Sequence, residues 1–159
     1  MAFEHLSTYL NDHLAGSVAG VGILEAAIEH IKNEPDTKLL ADIKREIEQD
    51  KSELERLMAA LEIGQSTFRK ASGWMSEKFA EIKLRVDDPG AGELFVFEAL
   101  EALSLGIEGK RSLWLVLATV SESDAKLCVL DYKRLIQRAE GQRSRVEAIR
   151  IKTGLKTFV

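Results

Sequence analysis

One cysteine and two prolines are all that 159 residues contain of either type. Cys128, standing alone, can close no intrachain disulfide and cannot join a multi-cysteine zinc set. Placed on an apolar stripe, it is expected to be a small core residue. Pro35 and Pro89 both fall in stretches that read as loops, so no proline interrupts the long periodic segments between them. The chain also lacks a basic start followed by an apolar run, so no secretory signal is expected and the cytoplasm is the default location. No stretch approaches the roughly 20 apolar residues of a membrane span. The uncharged run from Ser112 to Ser121 is far too short, and no membrane partner is expected. There is no G-x-G-x-x-G and no Walker sequence, hence no nucleotide cradle. Nothing resembles a nucleophile on a strained strand-to-helix turn.

Charge narrows the field further. A formal net charge of −4 argues against nucleic acid, whose backbone calls for a clustered basic surface. The basic run Arg143, Arg145, Arg150, Lys152 and Lys156 reads as a solvated helix end favoured by the C-terminal dipole.

What is present is helical periodicity, almost from end to end, with no long period-two alternation. It predicts one all-α domain, 1–159, with helices at about 3–32, 37–63, 67–86, 93–120 and 124–152. Asn33 and Pro35 end the first, and Asp36 or Thr37 caps the second. Gly64 stops the second, residues 87–92 form the clearest loop, and the turn from Ser121 to Asp124 caps the fifth. Four of these segments approach 30 residues, roughly 40 Å at 1.5 Å per residue. Short links between first and second, and between fourth and fifth, require antiparallel hairpins. Two hairpins joined by a crossover carrying a shorter helix give a ferritin-like bundle of four long helices. An up-and-down five-helix array fits the loop lengths equally well.

A resemblance points the same way. The stretches Tyr9-Leu10-Asn11-Asp12-His13-Leu14-Ala15-Gly16-Ser17 and Glu101-Ala102-Leu103-Ser104-Leu105-Gly106-Ile107-Glu108-Gly109-Lys110 resemble segments of uncharacterised bacterial proteins with ferritin-like helical hairpins. The likeness runs through most of the chain. It implies a fold and, lacking catalytic signatures, no activity.

The inward faces carry the functional information. In the second segment Leu40, Ile43, Ile47, Asp50, Leu54, Leu57 and Leu61 step by three and four, a coiled-coil-like seam with Asp50 in its middle. A buried, unpaired carboxylate costs several kcal/mol, about the penalty for any uncompensated charge, so Asp50 needs a partner. The first segment has Leu6, Leu10, His13, Ser17, Val21, Leu24, Ile28 and Ile31 on one side. Gly16 and Gly20, beside Ala15 and Ala19, leave room for another backbone to come close. The fourth segment is apolar nearly all round, with Leu100, Leu103, Ile107, Trp114 and Leu117 on one face. On another side Glu98, Glu101, Leu105, Glu108 and Ser112 line up. The fifth runs Cys128, Tyr132, Leu135, Ala139, Gln142, Val146 and Ile149. Trp74, off the stripe of the third segment, is expected to cover the bundle edge.

Carboxylate-bridged di-metal bundles use a Glu from each of two helices and Glu-x-x-His from each of the other two. Here Glu46 is followed by Gln49 and Glu140 by Arg143, and His5, His13 and His30 all lie in the first segment. No cofactor is therefore expected. The first functional expectation is a non-enzymatic structural or interaction module, in which His13, Ser17, Asp50, Glu101, Glu108, Tyr132 and Gln142 satisfy one another, with Lys110 or Arg111 neutralising them. The rival is a metal-binding protein or oxidoreductase holding iron or manganese through His13, Asp50, Glu101 and Glu108. A third reading is a binder of a small apolar ligand in the space beside Gly16 and Gly20. Self-association into a homodimer is expected of long hairpins with an apolar flank.

Overall fold

A helix with an apolar stripe must bury it against another element, and four such helices can close on one another. The computed structural model describes residues 2–65, 77, 80–82, 85 and 92–159. Among these, the long helices are α1 (Ala2–His30), α2 (Glu34–Ala60), α3 (Gly92–Ser121) and α4 (Tyr132–Phe158), with a 3₁₀ turn at Ala125–Leu127. No described residue lies in a strand. Most of the segment expected at 67–86, including Trp74, lies outside the described residues. Glu77, Ala80, Glu81, Ile82 and Arg85 are helical.

The helix ends differ from expectation for local reasons. Pro35 does not precede α2 but sits within its first turn, where a missing N–H removes no hydrogen bond. The cap is Asn33, whose side chain accepts from the Asp36 amide at 3.2 Å. The other end of α2 is not set by Gly64. Glu62 takes the left-handed conformation at φ 58°, and the Ile63 amide donates back to the Met58 carbonyl at 2.9 Å. That is a Schellman closure with a glutamate in the glycine place. At the last helix, Asp124 caps only the short 3₁₀ turn, and Asp131 caps α4, whose first helical residue is Tyr132. Cys128 consequently falls on the turn and not on the α4 seam. It is exposed and its thiol donates to the Ser121 carbonyl at 3.3 Å, so the core role expected of it is corrected.

α1 packs against α2 and α3, while α4 packs against α3 most extensively and against α2. Two apolar clusters fill the bundle. One gathers Ile23, Leu24, Leu40, Ile43, Phe95, Leu100, Val146 and Ile149. The other gathers Leu10, Leu54, Leu57, Met58, Trp114, Leu117 and Leu135. The start of α1 therefore lies with the end of α2, the end of α3 and the start of α4. Each hairpin is antiparallel, and α2 and α3 run parallel. Each fully buried Leu or Ile contributes about 1.5–3 kcal/mol, so these clusters dominate the stability.

The two seams of α3 are packed differently. Toward α4, a Cβ built on Gly154 would stand 3.0 Å from Cε2 of Phe97, and the Phe97 ring meets Phe158 edge-on at 5.1 Å. Toward α1, a Cβ built on Gly16, Gly20 or Gly109 would meet nothing within 4 Å. These glycines do not let backbones touch, as the sequence suggested. They leave a gap.

Candidate functional site

Asp50 lies where the two apolar clusters adjoin on α2, between Ile47 and Leu54, and only 1% of it is exposed. Its carboxylate is fully engaged. Lys110 of α3 donates to Oδ2 at 2.5 Å, and Gln142 of α4 donates to the same oxygen at 3.0 Å. Arg138 of α4 donates through Nε to Oδ1 at 2.7 Å, and its Nη2 adds an ion contact to that oxygen without a hydrogen bond of its own. Lys110 also donates to Oε1 of Gln142 at 2.5 Å. Nη1 of Arg138 reaches Oε1 of Gln49 at 3.1 Å. The result is a closed polar layer joining α2, α3 and α4. Burial pulls the Lys110 ammonium below its ordinary range, and the Asp50 carboxylate opposes that pull.

The residues expected to share this layer divide. Asp50 and Gln142 meet directly, with Lys110 as their neutralising partner. Glu101 is exposed and pairs with Arg150 at 3.3 Å. Glu108 pairs with Arg111 at 3.0 Å and with Arg143 at 3.3 Å on the outer side of the α3–α4 seam. Tyr132 is buried but spends its hydroxyl on the Leu127 carbonyl at 2.7 Å, and burial pushes its pKa up to about 12. His13 and Ser17 are bound to each other locally, the serine hydroxyl donating to the His13 carbonyl at 3.0 Å. Arg138 was missed. The available signal was its place one turn before Gln142, on the same flank of α4.

The basic run of α4 is similarly absorbed by carboxylates: Arg145 pairs with Glu46 at 2.5 Å and Lys152 with Asp36 at 2.7 Å. Among the described residues no group of three or more His, Cys, Asp or Glu is placed to hold a metal ion. No helix among them is long and apolar enough to cross a membrane.

Directly beside the layer, between α1 and α3, lies a cavity of about 380 Å³. Gly16, Ser17 and Gly20 of α1 face Leu103, Gly106 and Gly109 of α3 across it. Ile47 and Leu54 of α2 complete an apolar lining. Tyr9 and Leu105, both partly solvent-exposed, also border it, so it communicates with water. Its polar lining residues are Tyr9, Asp12, His13, Ser17, Lys110 and Trp114. The His13 ring packs edge-on against Tyr9 at 4.6 Å, and burial holds its pKa below the usual value despite the opposing Asp12 charge. Trp114 is 1% exposed, yet its indole N–H has no acceptor among the described residues. A buried donor left unpaired costs about 1–3 kcal/mol.

Comparison with family models, with curated proteins and with solved structures found no match.

Proposed function

We propose that this protein binds a small, largely apolar molecule in the cavity between α1 and α3, on a bundle of the ferritin-like kind that performs no chemistry of its own. The observation that carries the reading is the gap itself. Glycine in a helix interior costs about 1 kcal/mol against alanine, and alanine at position 16, 20 or 109 would meet no obstacle. Helices that forgo that stability without gaining a close backbone contact are keeping volume free. The volume falls within the range of about 300–1,000 Å³ typical of small-molecule sites.

The ferritin-like reading is supported by the two antiparallel hairpins and by α2 running parallel to α3, with residues 61–91 between them. The metal-binding reading is disfavoured by the Asp50 carboxylate, whose two oxygens already serve two cations and an amide. Self-association remains a separate proposal, supported by the exposed Ile151, Leu155 and Phe158 of α4; sedimentation of a monomer at high concentration would remove it.

The test is thermal unfolding with butylbenzene as an apolar probe, using the intact chain and Gly20→Leu. A ligand at about 100 times its Kd adds about 2.7 kcal/mol, which is a shift of about 5–10 °C for a domain of this size. The expected result is that shift in the parent and none in Gly20→Leu, whose side chain occupies the gap. Equal shifts in both proteins, or none in either, overturn the proposal.

A further inference from the structure

The cavity has a chemical polarity that the apolar reading alone does not use. Lys110 and Trp114 are four residues apart on α3, hence neighbours on one helix face, and both line the cavity. They are donors and not acceptors. Lys110 commits two of the three hydrogens an ammonium carries, one to Asp50 and one to Gln142. Trp114 commits none among the described residues. The lining residues therefore include one that bears a cation and one that bears an idle, buried N–H, and both groups complement an oxygen acceptor.

The rest of the lining restricts where such an acceptor can sit. Asp12, half-buried on α1, repels an anion from its own side. Burial disfavours the charged form of His13 against the opposing Asp12 charge, which weakens any attraction it offers an anion. Ile23, Ala102 and Leu103 supply apolar lining suited to a hydrocarbon body. Resting on the ligand-binding reading above, we infer that the natural ligand is a carboxylic acid with an apolar tail, its carboxylate received by the Trp114 indole N–H beside the Lys110 ammonium. The tail lies along the glycine-bordered gap between α1 and α3.

The inference is tested with three probes of similar bulk: octanoate, octylammonium and butylbenzene. Their affinities are measured calorimetrically on the intact chain and on Trp114→Phe. The indole N–H resonances are followed in parallel on the unsubstituted chain, with Trp74→Phe used to assign the Trp114 signal. Octanoate is expected to bind about tenfold or more tighter than either other probe, the ratio appropriate to a hydrogen bond to a charged acceptor. It alone should move the Trp114 indole resonance downfield. Trp114→Phe should remove most of the preference for octanoate over butylbenzene, because it deletes the indole N–H while keeping an aromatic ring in the lining. Should Trp114→Phe fail to fold, the resonance shift decides. Octanoate binding no tighter than butylbenzene, or without any change at the Trp114 indole, overturns the carboxylate assignment and leaves the cavity reading intact. Tighter binding of octylammonium overturns it also. Failure of all three probes sinks the cavity reading itself.

Discussion

The two sides of α3 solve the same packing problem in opposite ways. Against α4, side chains interdigitate until a single added methyl at Gly154 would press on Phe97, and ion pairs such as Arg111–Glu140 cross the outside of the seam. Against α1, glycines face a gap, and no ion pair between described residues of α1 and α3 is present. Lys110 belongs to both worlds: its ammonium closes the polar layer with Asp50 and Gln142, while its side chain borders the gap. One seam fixes how the helices align, and the other keeps a space. The lesson is that filled and unfilled packing can coexist on one helix when a polar layer separates them.

The sharpest way to break this contrast is at Asp50. Asp50→Asn removes the anion that both Lys110 and Arg138 contact, and should cost about 3–5 kcal/mol in denaturant unfolding. Lys110→Met should cost less, because Asp50 keeps Arg138 and Gln142. A reversed order would show that the layer is organised around the lysine. Replacing the whole layer by apolar residues is expected to be neutral or stabilising, since buried ion pairs rarely outperform well-packed hydrocarbon.

The next largest effect distinguishes the two seams directly. Gly16→Ala and Gly20→Ala should each stabilise by up to about 1 kcal/mol, as alanine regains helix propensity without meeting an obstacle. Gly154→Ala should gain less or lose, because the Phe97 ring must give way. Equal gains at all three positions would erase the distinction. Smaller again is Glu62→Gly at the end of α2. A left-handed residue with a side chain is strained, so glycine there should add about 0.5–1 kcal/mol to thermal stability.

The smallest expected effect is a pH dependence from the gap side. Burial depresses the His13 pKa in the folded protein, so the unfolded chain binds the proton more readily. The associated stability is complete above the ordinary histidine value of about 6.5 and declines as pH falls through the lower, folded pKa. Urea titrations across that window should show a decline that His13→Gln lessens. A flat difference between the two proteins would mean His13 is as solvated in the fold as in the unfolded chain.

Much of the bundle was legible because α2 and α4 alternate apolar and charged residues sharply. Every seam position read for α2 from Leu40 to Leu57 is buried, including Asp50, and so are Tyr132, Leu135, Ala139, Gln142, Val146 and Ile149 on α4. α1 was harder. Alanine, glycine and valine occupy both its sides, so the pattern lacks contrast; Leu14, Ile23, Ala26 and Ala27 are buried although the stripe was drawn elsewhere. Glu101 and Glu108 were placed inward because α3 is apolar nearly all round, which hides the side that meets water. Arg138 was overlooked because a charge on a polar helix reads as solvated. Only its i,i+4 relation to Gln142 betrays it. The cavity could be named from Gly16 and Gly20 but not established, for a glycine pair serves close packing and open space alike.

The attachment of α1 has a thermal consequence. Its ties include apolar packing in both clusters, an ion pair of Glu25 to Lys44 at 2.7 Å and the Asn11 amide reaching the Gly64 carbonyl at 3.2 Å. Hydrophobic association weakens on cooling, whereas the charged clasps binding α4 to α2 and α3 do not share that dependence. On cooling, the apolar share of the α1 attachment is expected to weaken first, a change that amide exchange of α1 measured against α4 at low temperature would report.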